Sequence, residues 1–225
     1  FTHGRVLYLK AALGELFAHA RLSQARLTAK LMKCRSERFF HRHHLLMRYI
    51  IPCFTGNCNH IIKEEHTVIR DILLLGDDKL YEVSAPVTTG DLPLLNGWVR
   101  DLHDTLLDYR AKHGAGRAVA APQIGIHKRL IYMLLDRPYV LVNPSLSFPD
   151  GETYELLDDC MSFPGLIVRV RRHRRCTLDY TDEHGQAQRL ELEGDLSELV
   201  QHEYDHLDGI LATMRAVDNK SFYMM

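Results

Sequence analysis

The sequence predicts an α+β fold, with antiparallel strands and hairpins around a C-terminal helix that carries His-Glu-x-x-His. A long amphipathic helix comes first, then short apolar segments broken by turn residues, then a second helix. That order lacks the regular strand–helix alternation of a parallel α/β sheet. With 225 residues, 46% apolar and 25% charged, the chain can also bury a sizeable core. No apolar run approaches the ~20 residues that span a bilayer, so no membrane segment is expected. Five cysteines argue against a secreted disulfide scaffold. A net charge of −1 gives no global pointer to nucleic acid.

The average hides two parts. Residues 1–66 hold 11 Lys+Arg against 4 Asp+Glu, while the remaining residues hold 17 against 25. Seven of the 14 histidines and three of the five cysteines also fall before residue 67. Such a shift marks a boundary, so residues 1–66 are expected to be a basic extension and 67–225 one domain. The extension begins at Phe1 and is rich in Arg and poor in acids. It reads as a sequence artefact, a targeting segment or a small appendage. Cys53, Cys58 and His60 suggest zinc, but no fourth ligand stands in register. Residues 14–31 could form a basic helix.

In the domain, Gly76-Asp77-Asp78 is a turn signal. Asp91 caps a helix with Pro93 in its first turn. Leu94, Leu95, Trp98, Val99, Leu102, Leu106 and Tyr109 follow at helical spacing, and Gly114 ends it. These apolar residues, and Leu73, Leu74 and Leu75, are expected in the core. A compact loop spans 114–125. Segments 129–135, 139–142, 166–170 and 176–180 read as strands. Asp182-Glu183-His184-Gly185 is a hairpin turn with 188–192 returning. The final helix has Asp195 as N-cap, with Glu198 completing a capping box. Leu196, Leu199, Val200 and Leu207 form its apolar face, and Gly209 stops it.

That helix carries His202-Glu203-Tyr204-Asp205-His206. A separation of four residues puts both imidazoles on one face, able to share a metal ion. Glu203 is then placed as general base toward water and later as acid toward the leaving group. A catalytic site of this kind needs a third protein ligand. Nothing after His206 is Glu, His or Cys, so it must come from upstream or from another chain. Cys160, in a turn-rich stretch, and Cys176, in a plain strand, are the upstream candidates. Thiolate suits zinc or ferrous iron, whereas a free cysteine in a fold is most often a small buried hydrophobe.

Three segments together resemble the peptide deformylase family over about residues 67–222. Gly116-Arg117-Ala118-Val119-Ala120-Ala121-Pro122-Gln123 is similar to its G-x-G-φ-A-A-x-Q loop. Asp158-Asp159-Cys160-Met161-Ser162 is similar to its E-G-C-φ-S. Gln201-His202-Glu203-Tyr204-Asp205-His206-Leu207-Asp208-Gly209 matches its Q-H-E-x-D-H-L-x-G. The resemblance implies hydrolysis of the N-formyl group from N-formylmethionyl nascent polypeptides. It implies Cys160, His202 and His206 as metal ligands, with Glu203 as proton shuttle. Gln123 and the backbone N–H of Met161 would stabilise the oxyanion, and Gly116, Ala118 and Asp159 would line the substrate. It implies Fe2+, with Zn2+ or Ni2+ as alternatives, and the bacterial cytoplasm as location, or an organelle if residues 1–66 target the chain there. The methionine side chain is expected in an apolar pocket.

Two departures stand inside the motifs. Ala118 replaces the family's second glycine, and Asp158-Asp159 replaces Glu-Gly. Ala118 adds a methyl group where glycine allows close approach, and Asp159 adds a charge beside the thiolate candidate. An amidase for another N-acyl group and an inactive metal-binding homologue are therefore alternatives. Arg169, Arg171, Arg172, Arg174 and Arg175 form a basic cluster that could touch ribosomal RNA phosphates. The plainer reading is solvent-facing arginines that offset nearby carboxylates. Residues 224–225 carry no signal.

Overall fold

The structure is a computed structural model and describes residues 67–225. The basic helix, the targeting segment and the Cys53, Cys58 and His60 zinc candidate lie outside the described residues.

Helix α1 (Leu92–His113) leads to β1 (Ala118–Ala120), and a 3-10 turn at Ala121–Ile124 follows. Then come β2 (Leu130–Leu134), β3 (Pro138–Ser147), β4 (Thr153–Asp159), β5 (Leu166–His173), β6 (Arg175–Thr181) and β7 (Ala187–Glu193). Helix α2 (Asp195–Leu207) and β8 (Phe222–Met224) end the described chain. One sheet has the order β1-β2-β3-β6-β7 and the other β4-β5-β8, with every ladder antiparallel.

Alternation along β1 and β2 builds a layered core. Val119, Leu130 and Tyr132 pack with Leu95, Leu102 and Leu106 of α1. Ala118, Ala120, Ile131 and Met133 pack with Leu199, Val200 and Leu207 of α2. Because both faces of β2 are covered, four successive residues are buried and no polar alternation shows in its sequence. The smaller sheet has its own cluster, in which Val168 and Val170 pack with Cys160, Phe163 and Ala212. At the far edge of the large sheet, β7 exposes Arg189, Glu191 and Glu193.

Several expectations change. The 114–125 loop contains β1, too short to show a period. Strand β3 runs well past residue 142, and β4 and β8 were not foreseen. Asp195 does not cap α2: Gly194 holds that place and Asp195 is the first helical residue. Its carboxylate instead meets Arg117. Asp91 does stand at the N-cap of α1, but its carboxylate accepts from Thr88 and Lys128 rather than from the helix. Leu74 and Leu75 are exposed because the segment before α1 runs over the surface, and Leu94 is exposed in the first turn of α1.

Gly209 ends the turn after α2 at φ +69°, and an added Cβ would lie 2.4 Å from the carbonyl oxygen of Tyr81. Both strain and overlap oppose any side chain there. Gly209→Ala is expected to lower stability by about 3 kcal/mol. A urea midpoint equal to that of the parent would show that the Tyr81 segment yields freely.

Candidate metal centre and active site

Cys160 follows the last residue of β4, and His202 and His206 stand one turn apart on α2. A sulfur and two imidazoles thus come from elements distant in sequence. Their candidate ligand atoms all lie within 4.8 Å of one another, and all three residues are buried. Cys160 Sγ is 3.3 Å from His206 Nε2. The rival, Cys176, is buried in β6 away from this group. Burial pushes its thiol up, so it is a poor thiolate.

The sulfur of Cys160 is surrounded by donors. Gln123 Nε2 stands 3.4 Å from it, and the Ser162 backbone N–H donates to it at 3.4 Å. Gln123 is fixed because its Oε1 accepts from the Ala120 N–H at 2.9 Å. The same amide also donates to Ser162 Oγ at 3.2 Å. The thiolate is the form in which a cysteine binds a metal.

His202 is held by a partner that sequence reasoning passed over. Its Nδ1 is 2.7 Å from Asp158 Oδ1, which leaves Nε2 as the metal-facing nitrogen. Asp158 also binds Arg172 Nη2 at 3.0 Å, and Arg172 Nη1 binds Asp205. Arg215 closes the chain on Asp205 at 2.8 Å. Arg172 is 4% exposed, so it belongs to this buried network and leaves the proposed surface cluster. Burial opposes the charge on Asp158, yet His202 and Arg172 hold its carboxyl below the usual aspartate range. Burial likewise opposes charge on His202, but Asp158 and then Cys160 raise it well above ordinary histidine. His206 moves the other way, lowered by burial and by His202.

Glu203 is buried beside the two histidines, and burial pushes its carboxyl up to about 7. Its Oε2 has no hydrogen-bond partner among the described residues. An orphaned buried carboxyl oxygen next to one soft and two imidazole donors fits a metal site with a proton-transfer group.

A cavity of about 720 Å3 opens onto this group. Gly116, Ala118, Gln123, Asp159 and Met161 line it, as do His202 and Glu203. Gly116 sits at φ +115°, and a Cβ there would crowd Leu106 and Tyr109. Asp159 is exposed, unlike Asp158. The cavity has both apolar and charged walls. Tyr154, Leu156 and Leu199 are joined in its lining by Arg117, Asp195 and Glu198. Glu198 lies one turn before His202, a spacing that could have flagged it. Burial, and then the charge of Asp158, raise its carboxyl to about 7.

A family model described as polypeptide deformylase matches residues 69–222. The chain is 36% identical over 166 residues to peptide deformylase 2 of Ralstonia nicotianae, covering 69% of this chain and 91% of that protein. It is 41% identical over 145 residues to the peptide deformylase of Parafrankia sp., covering 64% and 76%. Among solved structures, a peptide deformylase from Synechococcus elongatus in complex with actinonin superposes with a TM-score of 0.61 at 35% identity. That match covers 68% of this chain and 81% of the other.

Proposed function

This chain belongs to the polypeptide deformylase family, metal-dependent hydrolases that remove the N-formyl group from nascent polypeptides, and we propose that Cys160, His202, His206 and Glu203 carry that reaction here. The observation that supports it most is the convergence of Cys160, His202 and His206 beside the unpartnered Glu203 Oε2.

On this reading Cys160 Sγ and one nitrogen each of His202 and His206 hold the ion, with Fe2+ proposed and Zn2+ or Ni2+ able to replace it. When bound, such a cation supplies Lewis acidity and makes water more acidic. Glu203 takes the proton of the attacking water and returns it to the departing amine nitrogen. The Gln123 amide and the Met161 backbone N–H donate to the oxygen that gains charge. Gly116 and Ala118 line the path of the peptide backbone, and Asp159 stands at the edge of the cavity. Asp158 and Arg172 keep the His202 ring oriented.

The test is formate release from formyl-Met-Ala-Ser by the full chain, loaded anaerobically with Fe2+. Release is expected, removal of the ion with a chelator should abolish it, and acetyl-Met-Ala-Ser should be inert. A folded, iron-loaded protein that releases no formate would sink the reading.

The proposed setting is wherever translation starts with formylmethionine: a bacterial cytoplasm, or an organelle should residues 1–66 act as a targeting segment. No helix among the described residues is long and apolar enough to cross a membrane. Contact with ribosomal RNA is proposed through Arg169, Arg171, Arg174 and Arg175, with Arg172 excluded by burial. All four share acidic partners, among them Glu155 and Glu152. The contact is therefore expected to be weak and to fade between 50 and 200 mM salt, by roughly the usual phosphate-contact dependence. Ribosome co-sedimentation that ignores salt would contradict it.

A further inference from the structure

The acidic groups around the cavity are not alike. Asp158 is matched by Arg172 and His202, and Arg117 turns to Asp195 and Glu198. Asp159 differs. It stands where the family's motif has glycine, and alternation along β4 puts its side chain on the face opposite Asp158. It is exposed and lines the cavity, and its carboxylate makes no ion pair or hydrogen bond among the described residues. Arg117 is the one Arg or Lys in the lining, and Asp195 and Glu198 already hold it.

Two further features stand beside Asp159. Tyr109 belongs to the same wall, near enough that the aspartate's charge adds to burial in raising its phenol. Gly114 and Ala115 bring the C-terminal end of α1 to that wall, where the last carbonyls carry partial negative charge. The basic residues of that turn are engaged elsewhere. Arg110 donates to the carbonyls of Gly116 and Leu134, Lys112 pairs with Asp108 at 2.7 Å, and His113 stacks on Tyr109. A carboxylate, an aromatic ring and a helix C-terminus all favour a cation. A methionine side chain brings no charge, so the cation must come from a residue further along the peptide.

We propose that this wall, through Asp159, favours N-formylmethionyl chains that carry lysine or arginine at the second or third position over chains that carry glutamate there. The inference rests on the deformylase reading and leaves formylmethionine as the first residue. Asp159 meets a side chain and takes no part in the bond cleavage.

Formate release would be measured with the iron-loaded full chain on four peptides: formyl-Met-Lys-Ser, formyl-Met-Glu-Ser, formyl-Met-Ala-Lys and formyl-Met-Ala-Glu. All are amidated at the C-terminus, so that no terminal carboxylate adds charge. At one of the two positions, lysine should exceed glutamate by about fivefold in kcat/KM at low salt, the scale of one exposed ion pair. The difference should lie in KM, because the contact is the same before and during the reaction, and high salt should shrink it. Asp159→Asn keeps the shape, removes the charge and should bring the ratio to about one. Asp159→Lys should turn the preference toward glutamate. Should the lysine variant not fold, the asparagine variant decides. Equal kcat/KM for lysine and glutamate at both positions, or a lysine preference that Asp159→Asn retains, overturns the proposal while leaving the deformylase reading intact. No formate from any of the four peptides overturns both.

Discussion

Glu203→Gln is expected to lower kcat for formate release by about a thousandfold, within the range that general acid–base catalysis contributes. Glutamine has the same shape, so the histidines on either side should keep their places. Glutamine can neither accept the proton of water nor return it to the amine. The native carboxyl is suited to both tasks because burial lifts it to about 7, near neutral pH, where a group can alternate between base and acid. The measurement needs metal content determined in parallel. A variant that binds the ion normally and turns over within threefold of the parent would remove Glu203 from the mechanism. Loss of activity together with loss of metal would assign it to the architecture of the site instead.

The second large effect is expected at Arg172. Its guanidinium is buried between Asp158 and Asp205. Arg172→Met removes the positive member of a buried network and leaves two carboxylates facing each other's field. Breaking a buried pair this way costs about 3–5 kcal/mol. The damage should also reach His202, whose ring is oriented by Asp158, with metal affinity falling about 10–100-fold. Urea unfolding of the metal-free protein and metal titration report the two effects separately. A stability loss under about 1 kcal/mol would mean that Arg215 alone can serve Asp205 and that Asp158 finds another partner. The acid side of the stability profile follows from the same group. Asp158 titrates below its ordinary value of 3.8. The stability it contributes is therefore present above that value and lost as pH falls through the lower folded one.

The two helices were legible in the sequence because each carries its own periodicity and a glycine just past its end. The hairpin at residues 182–185 was legible from turn residues alone. Strand β4 was not, because Glu155 and Asp158 look like loop residues until β5 supplies their partners. Glu155 lies opposite Arg171 in the ladder, and their side chains pair at 2.7 Å. Strand β1 is three residues long, below any period. The metal site divides the same way. His202, Glu203 and His206 sit on one helix at a spacing that geometry alone interprets. Residue chemistry favoured Cys160 over Cys176 through its turn-rich surroundings but left Cys176 open, because the choice depends on which strand end meets α2. Arg172 was read as one of a surface group, since nothing in a run of arginines marks the one that turns inward.

Strand β7 forms one open edge of the five-stranded sheet, and a bare edge is where a second chain can add itself. Here that edge carries Arg189, Glu191 and Glu193, all exposed, with Arg189 clamped to Asp179 of β6 at 2.7 Å. A copy of the chain docking there would have to strip water from three charged side chains for each ladder it gained. Those charges make this open edge a poor template for strand addition by a second copy.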